Sequence, residues 1–189
     1  MITTVTARDT ELPVTVDEAR LQLRMQDGSL DEDVLSKLWA AVGECENLTG
    51  RSLRVSTTLT QKYCQWPCNP VRLNRQPVSA ITHVKYYDAD GTLQTVSSSN
   101  YRLHESSEAA AHLEIDGEFV KPTLYARDDA VVVTYTAGYG TTAAVPYVAK
   151  EAIKLTLSLL FGALGDLDYQ NTLRSRDSLL AQLDPGYYR

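Results

Sequence analysis

"VVVTYTAGYG", residues 131–140, decides how this chain is read. Strand-forming residues run into Gly138 and Gly140, and Val145-Pro146 follows ahead of a long stretch with helical spacing. Valine and threonine are stiff at χ1 and suit a pleated surface. Glycine admits backbone angles that those residues avoid. A sheet that stops at two glycines and hands over directly to a helix reads as the close of a β-rich insertion in a helical body. A plainer account stays open: a flexible loop joining ordinary α+β elements.

Working back from that stretch, the period changes to a strand pattern at Leu53. "LRVSTTLTQKYCQW" is rich in β-branched and aromatic residues, and proline punctuates the short strand candidates that follow. Asp90-Gly91 sits between "ITHVKYY" and "TLQTV", a strong hairpin signal. "NYRL" and "HLEI" supply further strands, with Ser97 to Ser99 and Ser106 to Ala111 reading as loops. These features predict a small antiparallel unit and leave its strand order open.

Helical patterns lie on either side. Thr15 and Glu18 have the spacing of a capping box, and Ser29 and Glu32 repeat it. Asp31 and Asp33 add acid to a first turn, where the helix dipole favours it. Val34, Leu35, Leu38, Val42 and Cys45 then recur on one helical face, and Asn47 to Gly50 reads as the stop. Pro146 suits the first turn of a third helix, whose apolar surface includes Ala149, Ile153 and Leu157. Leu173, Leu179, Leu180 and Leu183 mark a last helix that ends at Pro185-Gly186. The expected fold is α+β, a small helical bundle with an inserted antiparallel β-rich region. Its expected divisions are an N-terminal arm over 1–12, helices over 13–50, the insertion over 51–140, and C-terminal helices and tail over 141–189. The last division is expected to pack with 13–50 as one body.

The bulk composition restricts function. Among 189 residues, 18 basic and 24 acidic side chains give a formal net charge of −6, which opposes a broad phosphate-binding surface. Arg72, Arg75 and Lys85 are too sparse to reverse that. The apolar fraction of 43% and charged fraction of 22% fit a packed globular protein. The opening "MITTVTARDTELPV" lacks the basic and apolar regions of a signal peptide. The apolar run near "LTLSLLFGAL" is too short to cross a bilayer. Three cysteines, Cys45, Cys64 and Cys68, do not make a disulfide framework, so synthesis in a reducing cytoplasm and no membrane association are expected.

Chemistry-bearing patterns are weak. The Cys64–Cys68 gap is wider than a zinc knuckle's and no second pair follows. His83, His104 and His112 accompany no nucleophile motif. "DADG" at 88–91 starts like a calcium loop, but its window ends at Ser99 without the bidentate glutamate. "TAGYGT" lacks both the phosphate-loop lysine and dinucleotide glycine spacing. No enzyme activity, metal or cofactor is expected. Eleven tyrosines against two phenylalanines point to protein interfaces or, equally, to half-buried sheet positions.

Four pieces in order, "LPVTVDEARLQLRM", "DEDVLSKLWAAVGECENLTGRSL", "PVSAITHVKYYDADGTLQTV" and "VVVTYTAGYG", resemble the head–tail connector, or adaptor, proteins of long-tailed bacteriophages. The resemblance spans roughly residues 12–165. It implies a structural virion protein, made in the host cytoplasm, that forms a ring beneath the portal. That ring would connect the head to the neck and tail and continue the DNA channel. The implied partners are further copies, twelve on a twelve-fold portal, the portal protein itself, and a downstream neck or head-completion protein. DNA would pass without specific binding.

On that reading Tyr187, Tyr188 and Arg189 are candidate portal contacts. Asp27, Asp31, Glu32 and Asp33 are a candidate acidic channel cluster, or else helix-capping acids facing outer solvent. Gly50, Asp90, Gly91, Gly138, Gly140 and Pro146 are turn and hinge positions. The competing expectation is a monomeric protein- or carbohydrate-binding module anchored by Trp39, Trp66 or exposed tyrosines.

Overall fold

The computed structural model describes residues 1–104, 111–162 and 166–183. It divides into two compact units, Met1–Asp9 with Ser56–Gly138, and Thr10–Val55 with Tyr139–Arg189. The second unit is helical: α1 (Val16–Leu23), α2 (Asp31–Thr49), α3 (Tyr147–Phe161) and α4 (Asp166–Ala181). The first holds the strands β1 (Ile2–Arg8), β2 (Thr57–Tyr63), β3 (Val71–Arg72), β4 (Val78–Tyr87), β5 (Leu93–Thr95), β6 (Tyr101–His104), β7 (His112–Ile115) and β8 (Val131–Ala137). The fold is thus α+β, a small helical bundle carrying an inserted antiparallel β region.

In the helical unit, α1 starts as its sequence dictates. Thr15 Oγ1 accepts from the Glu18 amide at 3.2 Å while the Glu18 carboxylate accepts from the Thr15 amide at 2.8 Å. The repeated spacing at Ser29 and Glu32 does not make a second box. α2 starts one residue late for it: Leu30 is the cap and offers no side-chain bond, while the Ser29 hydroxyl donates to Asp27. Val34, Leu38, Ala41, Val42 and Cys45 of α2 pack with Ala149, Ala152, Ile153 and Leu157 of α3 and Leu180 of α4. Leu35, on the same periodic pattern, is 39% exposed. Pro146 stands just before α3, in an extended conformation, one position ahead of the first turn where the pattern placed it.

Buried charge fastens this unit. Arg176 of α4 is 6% exposed, and its guanidinium pairs with Glu44 of α2 at 2.5 Å and with Asp177 at 2.7 Å. Glu46 pairs with Arg54 at 3.3 Å and also accepts from the Leu53 amide at 3.0 Å. Arg54 in turn lies over the Trp39 ring, 4.7 Å from its centroid.

In the β unit, five strands run in the order β1-β2-β8-β4-β5, and three in the order β3-β7-β6. One core unites them: Leu59, Val84, Val133 and Tyr135 from the larger sheet meet Val71, Leu113 and Ile115 from the smaller. Part of the expected N-terminal arm over 1–12 lies in this sheet. Ile2 to Arg8 pair antiparallel with β2, from Ile2 opposite Lys62 to Arg8 opposite Thr57, and form an edge of the sheet. Their β-branched sequence suits a ladder as well as it suits an isolated extended segment. The expected loop from Ser106 falls, up to residue 110, outside the described residues.

The stretch that opened the reading now has its geometry. Gly138 has φ 133° and donates to Pro77 at 2.8 Å, holding the end of β8 within the β unit. One residue later the Tyr139 amide donates to Arg54 at 3.3 Å, and Gly140, at φ 78°, donates to Val55 at 2.9 Å. These two bonds join the returning chain to the departing one, inside the helical unit. Positive φ at both glycines is what lets a strand of valines change course in two residues.

Candidate functional site

For a chain without a reaction motif the candidate site is its surface. The acidic cluster is less bare than its sequence implies. Asp27 accepts from the Ser29 amide and hydroxyl, and the hydroxyl bond, then the amide bond, hold its carboxyl below the usual range. Asp31 lies 3.4 Å from Arg20, and Asp33 lies 2.5 Å from Lys37. Glu32 is exposed in the first turn of α2. Three of the four acids therefore serve a turn or a local ion pair.

The turn positions do local work. Gly50 closes α2 at φ 64°, and Gly91 takes φ 77° between β4 and β5. Asp88, rather than Asp90, organises that hairpin: its carboxylate accepts from the amides of Asp90 and Thr92 and from Gln94 Nε2 at 2.8 Å. The bonds from Gln94, Thr92 and Asp90 lower the Asp88 carboxyl below its usual range. These bonds make "DADG" a turn. The expected portal contacts Tyr187, Tyr188 and Arg189 lie outside the described residues.

The proposed aromatic anchors are engaged within the chain. The Trp66 indole N–H donates to Pro122 at 2.9 Å, and its ring packs 5.3 Å from Tyr86 and 5.7 Å from Phe119. Trp66 also borders a cleft of about 460 Å³ with Met1, Cys64, Cys68 and Arg72. Cys64 and Cys68 are exposed and free, and Cys45 is buried. The tyrosines divide: Tyr135 is fully buried, whereas Tyr147 is 82% exposed. His104 and His112 stack at 5.2 Å across β6 and β7, with Glu114 2.5 Å from His104. Among the described residues no three metal-capable side chains are arranged to hold an ion.

One surface escaped the sequence reading. On β2, Thr57, Leu59 and Gln61 are buried, so Thr58, Thr60 and Lys62 point the other way. Register carries that outer face across the sheet: Thr4 lies opposite Thr60, Thr134 opposite Thr60, and Thr136 opposite Thr58. The hydroxyls link into a ladder, Thr6 to Thr60 at 3.0 Å and Thr60 to Thr134 at 3.4 Å. His83 and Lys85 of β4 continue the face, opposite Thr134 and Val132. Burial, and secondly Lys85, hold the His83 imidazole below its usual range. The signal was present as alternate threonines in three strands, Thr4 and Thr6, Thr58 and Thr60, Thr134 and Thr136.

Two buried acids predict an alkaline limit to stability. Burial pushes the Cys45 thiol up to about 11, against the opposing bond from Thr156. Burial pushes the Tyr135 phenol up to about 12, against the amides of Arg75 and Asn74. Each group is held neutral in the fold, so the folded chain keeps its proton longer than the unfolded chain. Stability is therefore full below the unfolded values, roughly 8.5 for a thiol and 10 for a phenol. It falls as pH rises toward the folded values, by about 3 kcal/mol for each group. Urea titrations stepped from neutral to strongly alkaline pH should show this decline. Tyr135→Phe should flatten its upper part, and an unchanged slope in that variant would contradict the assignment.

No protein-family model matches the chain, and no curated protein matches it. Chains in solved structures do share its fold. One, in the virion of a native gene transfer agent (GTA) particle, superposes with a TM-score of 0.77 at 21% identity, covering 100% of this chain and 97% of that one. Another, in the neck of an empty GTA particle computed with C6 symmetry, has a TM-score of 0.76 at 19% identity over the same shares. A third, in the neck of a native GTA particle computed with C12 symmetry, has a TM-score of 0.73 at 21% identity, again over 100% and 97%. Both units of this chain therefore have counterparts in one partner fold.

Proposed function

We propose that this chain is a structural component of the neck of a phage-like particle. Copies of it form a ring beneath the portal, join the head to the neck and tail, and continue the channel through which DNA passes. The observation that carries the reading is the end-to-end likeness of fold to chains of GTA virions and necks, with nearly nothing left over on either side. The ordered sequence pieces that resemble phage connectors support it independently. On this reading the chain acts by contact and has no catalytic role. Its formal charge of −6 suits a channel that must not retain a phosphate backbone.

The reading predicts twelve copies on a portal of C12 symmetry, the symmetry of one matched neck. Native mass spectrometry of a reconstituted portal complex checks the number, and saturation at one or two copies would sink the ring. A chain lacking residues 185–189 tests the proposed portal contacts Tyr187, Tyr188 and Arg189 in the same experiment. It should fold normally and occupy the portal more weakly. Equal occupancy would remove the tail from the interface.

A further inference from the structure

We propose that the threonine face of the five-stranded sheet is the seat of a neighbouring copy of this chain. The inference rests on the neck reading and says which surface makes the lateral contact. One face of that sheet is used up by the core, and the other carries the hydroxyl ladder.

Charge identifies the occupant. The five strands of the sheet contain no aspartate or glutamate, in a chain with 24 of them. Their titratable outer-face groups are Lys62, His83, Lys85 and Tyr87; from outside the strands, Asp129 reaches Lys62 at 3.7 Å, and Arg127, paired with Asp129 at 2.5 Å, lies over the Tyr87 ring. Strand propensity accounts for part of this depletion. It does not account for the edges, which proteins ordinarily protect with charge or proline. Here β1 carries neither before Arg8, and β5, "LQT", carries neither at all. A face whose strands carry no acid, on a chain of net charge −6, is complementary to the acid-bearing remainder of a second copy. Two such faces would set lysine against lysine, so the contact joins different surfaces. A repeated contact of that kind closes into a ring when its rotation permits.

The face is also inexpensive to cover. The hydroxyls of Thr4, Thr6, Thr60 and Thr134 already bond one another or the backbone, as Ser79 does with the Thr136 carbonyl at 3.2 Å, so a partner orphans few of them. Its threonine side chains are short and have little rotamer freedom to lose. Duplex DNA is a poorer fit: the cations are few, and many of the hydroxyl donors that phosphates would need are occupied.

Sedimentation velocity of the full-length chain over a range of concentrations tests the proposal. Wild type should self-associate, more strongly at low salt. Lys85→Glu and Thr60→Glu should each raise the dissociation constant at least about tenfold. Circular dichroism separates that effect from misfolding, and Lys85→Glu remains informative where Thr60→Glu fails to fold. Lys121→Glu makes the same charge change at an exposed position outside the strands and should associate like wild type. Wild-type association that both face variants retain would overturn the proposal. So would tight low-salt retention of duplex DNA by wild type that Lys85→Glu abolishes. A wild type that stays monomeric throughout also overturns the seat, and leaves the neck reading to the portal experiment, where copies are counted on their template.

Discussion

Glu46→Ala is expected to lower the unfolding free energy by roughly 3–5 kcal/mol, the cost of stranding a buried charge. Glu46 is 5% exposed and Arg54 7%, so water cannot replace the lost carboxylate. Two donors lose their acceptor at once, the Arg54 Nε and the Leu53 amide. The consequence reaches past the pair. The carbonyls of Arg54 and Val55 receive the amides of Tyr139 and Gly140, where the chain returns from its β unit. Arg54 also covers Trp39, so indole fluorescence in a Trp66→Phe background is a local reporter of the change. Urea denaturation followed by that fluorescence measures the effect. Replacing both partners together, Glu46→Leu with Arg54→Met, should cost much less, because no charge is left unpaired. A single-variant loss below about 1 kcal/mol would mean the pair is hydrated and contributes no more than a surface bridge.

Leu38→Ala should cost about 2–5 kcal/mol, whereas Leu35→Ala should cost about 0.5 kcal/mol. Both leucines belong to the same helical repeat of α2. Leu38 is fully buried in the cluster formed with α3 and α4, and removing its side chain opens a cavity there. Leu35 is 39% exposed and leaves no comparable void. Thermal and urea unfolding of the two variants side by side give the comparison. Equal losses would show that the helical unit buries a wider stripe of α2 than its packing indicates.

That pair illustrates how far periodicity carries. It marks a face of about the right width, but whether a residue at the margin is covered depends on what crosses it. The capping patterns divide in the same way. Thr15 and Glu18 close a box because Thr15 stands at the cap position of α1. Ser29 has the same spacing to Glu32, yet α2 is capped one residue later at Leu30, and the Ser29 hydroxyl turns to Asp27. Arg176 shows the limit from the other side. A charged residue in a leucine-bearing helix reads as solvated, and only the nearness of Glu44, far away in sequence, makes it a buried link.

The surfaces were harder to read than the core. Acids grouped at 27–33 looked like one patch, but different partners divide them: Ser29 in a turn for Asp27, Arg20 of α1 for Asp31, and Lys37 one helical turn on for Asp33. The threonine face was written in alternate residues of three strands. It could not be assembled without strand order, because residues 4, 60 and 134 become neighbours only through the ladder.

By itself the sequence determined the local chemistry of this protein: where helices begin, where β-branched runs form strands, and where glycine lets the chain turn from one to the other. These choices depend on contacts within a few residues, so they survive without knowledge of the fold. The tertiary structure alone decided that the first strand joins an edge of the sheet. It also decided which charges are buried in pairs and which threonines share one face of the sheet. Those outcomes depend on pairings between residues tens of positions apart, and the free energy of each exists only after the chain has closed on itself.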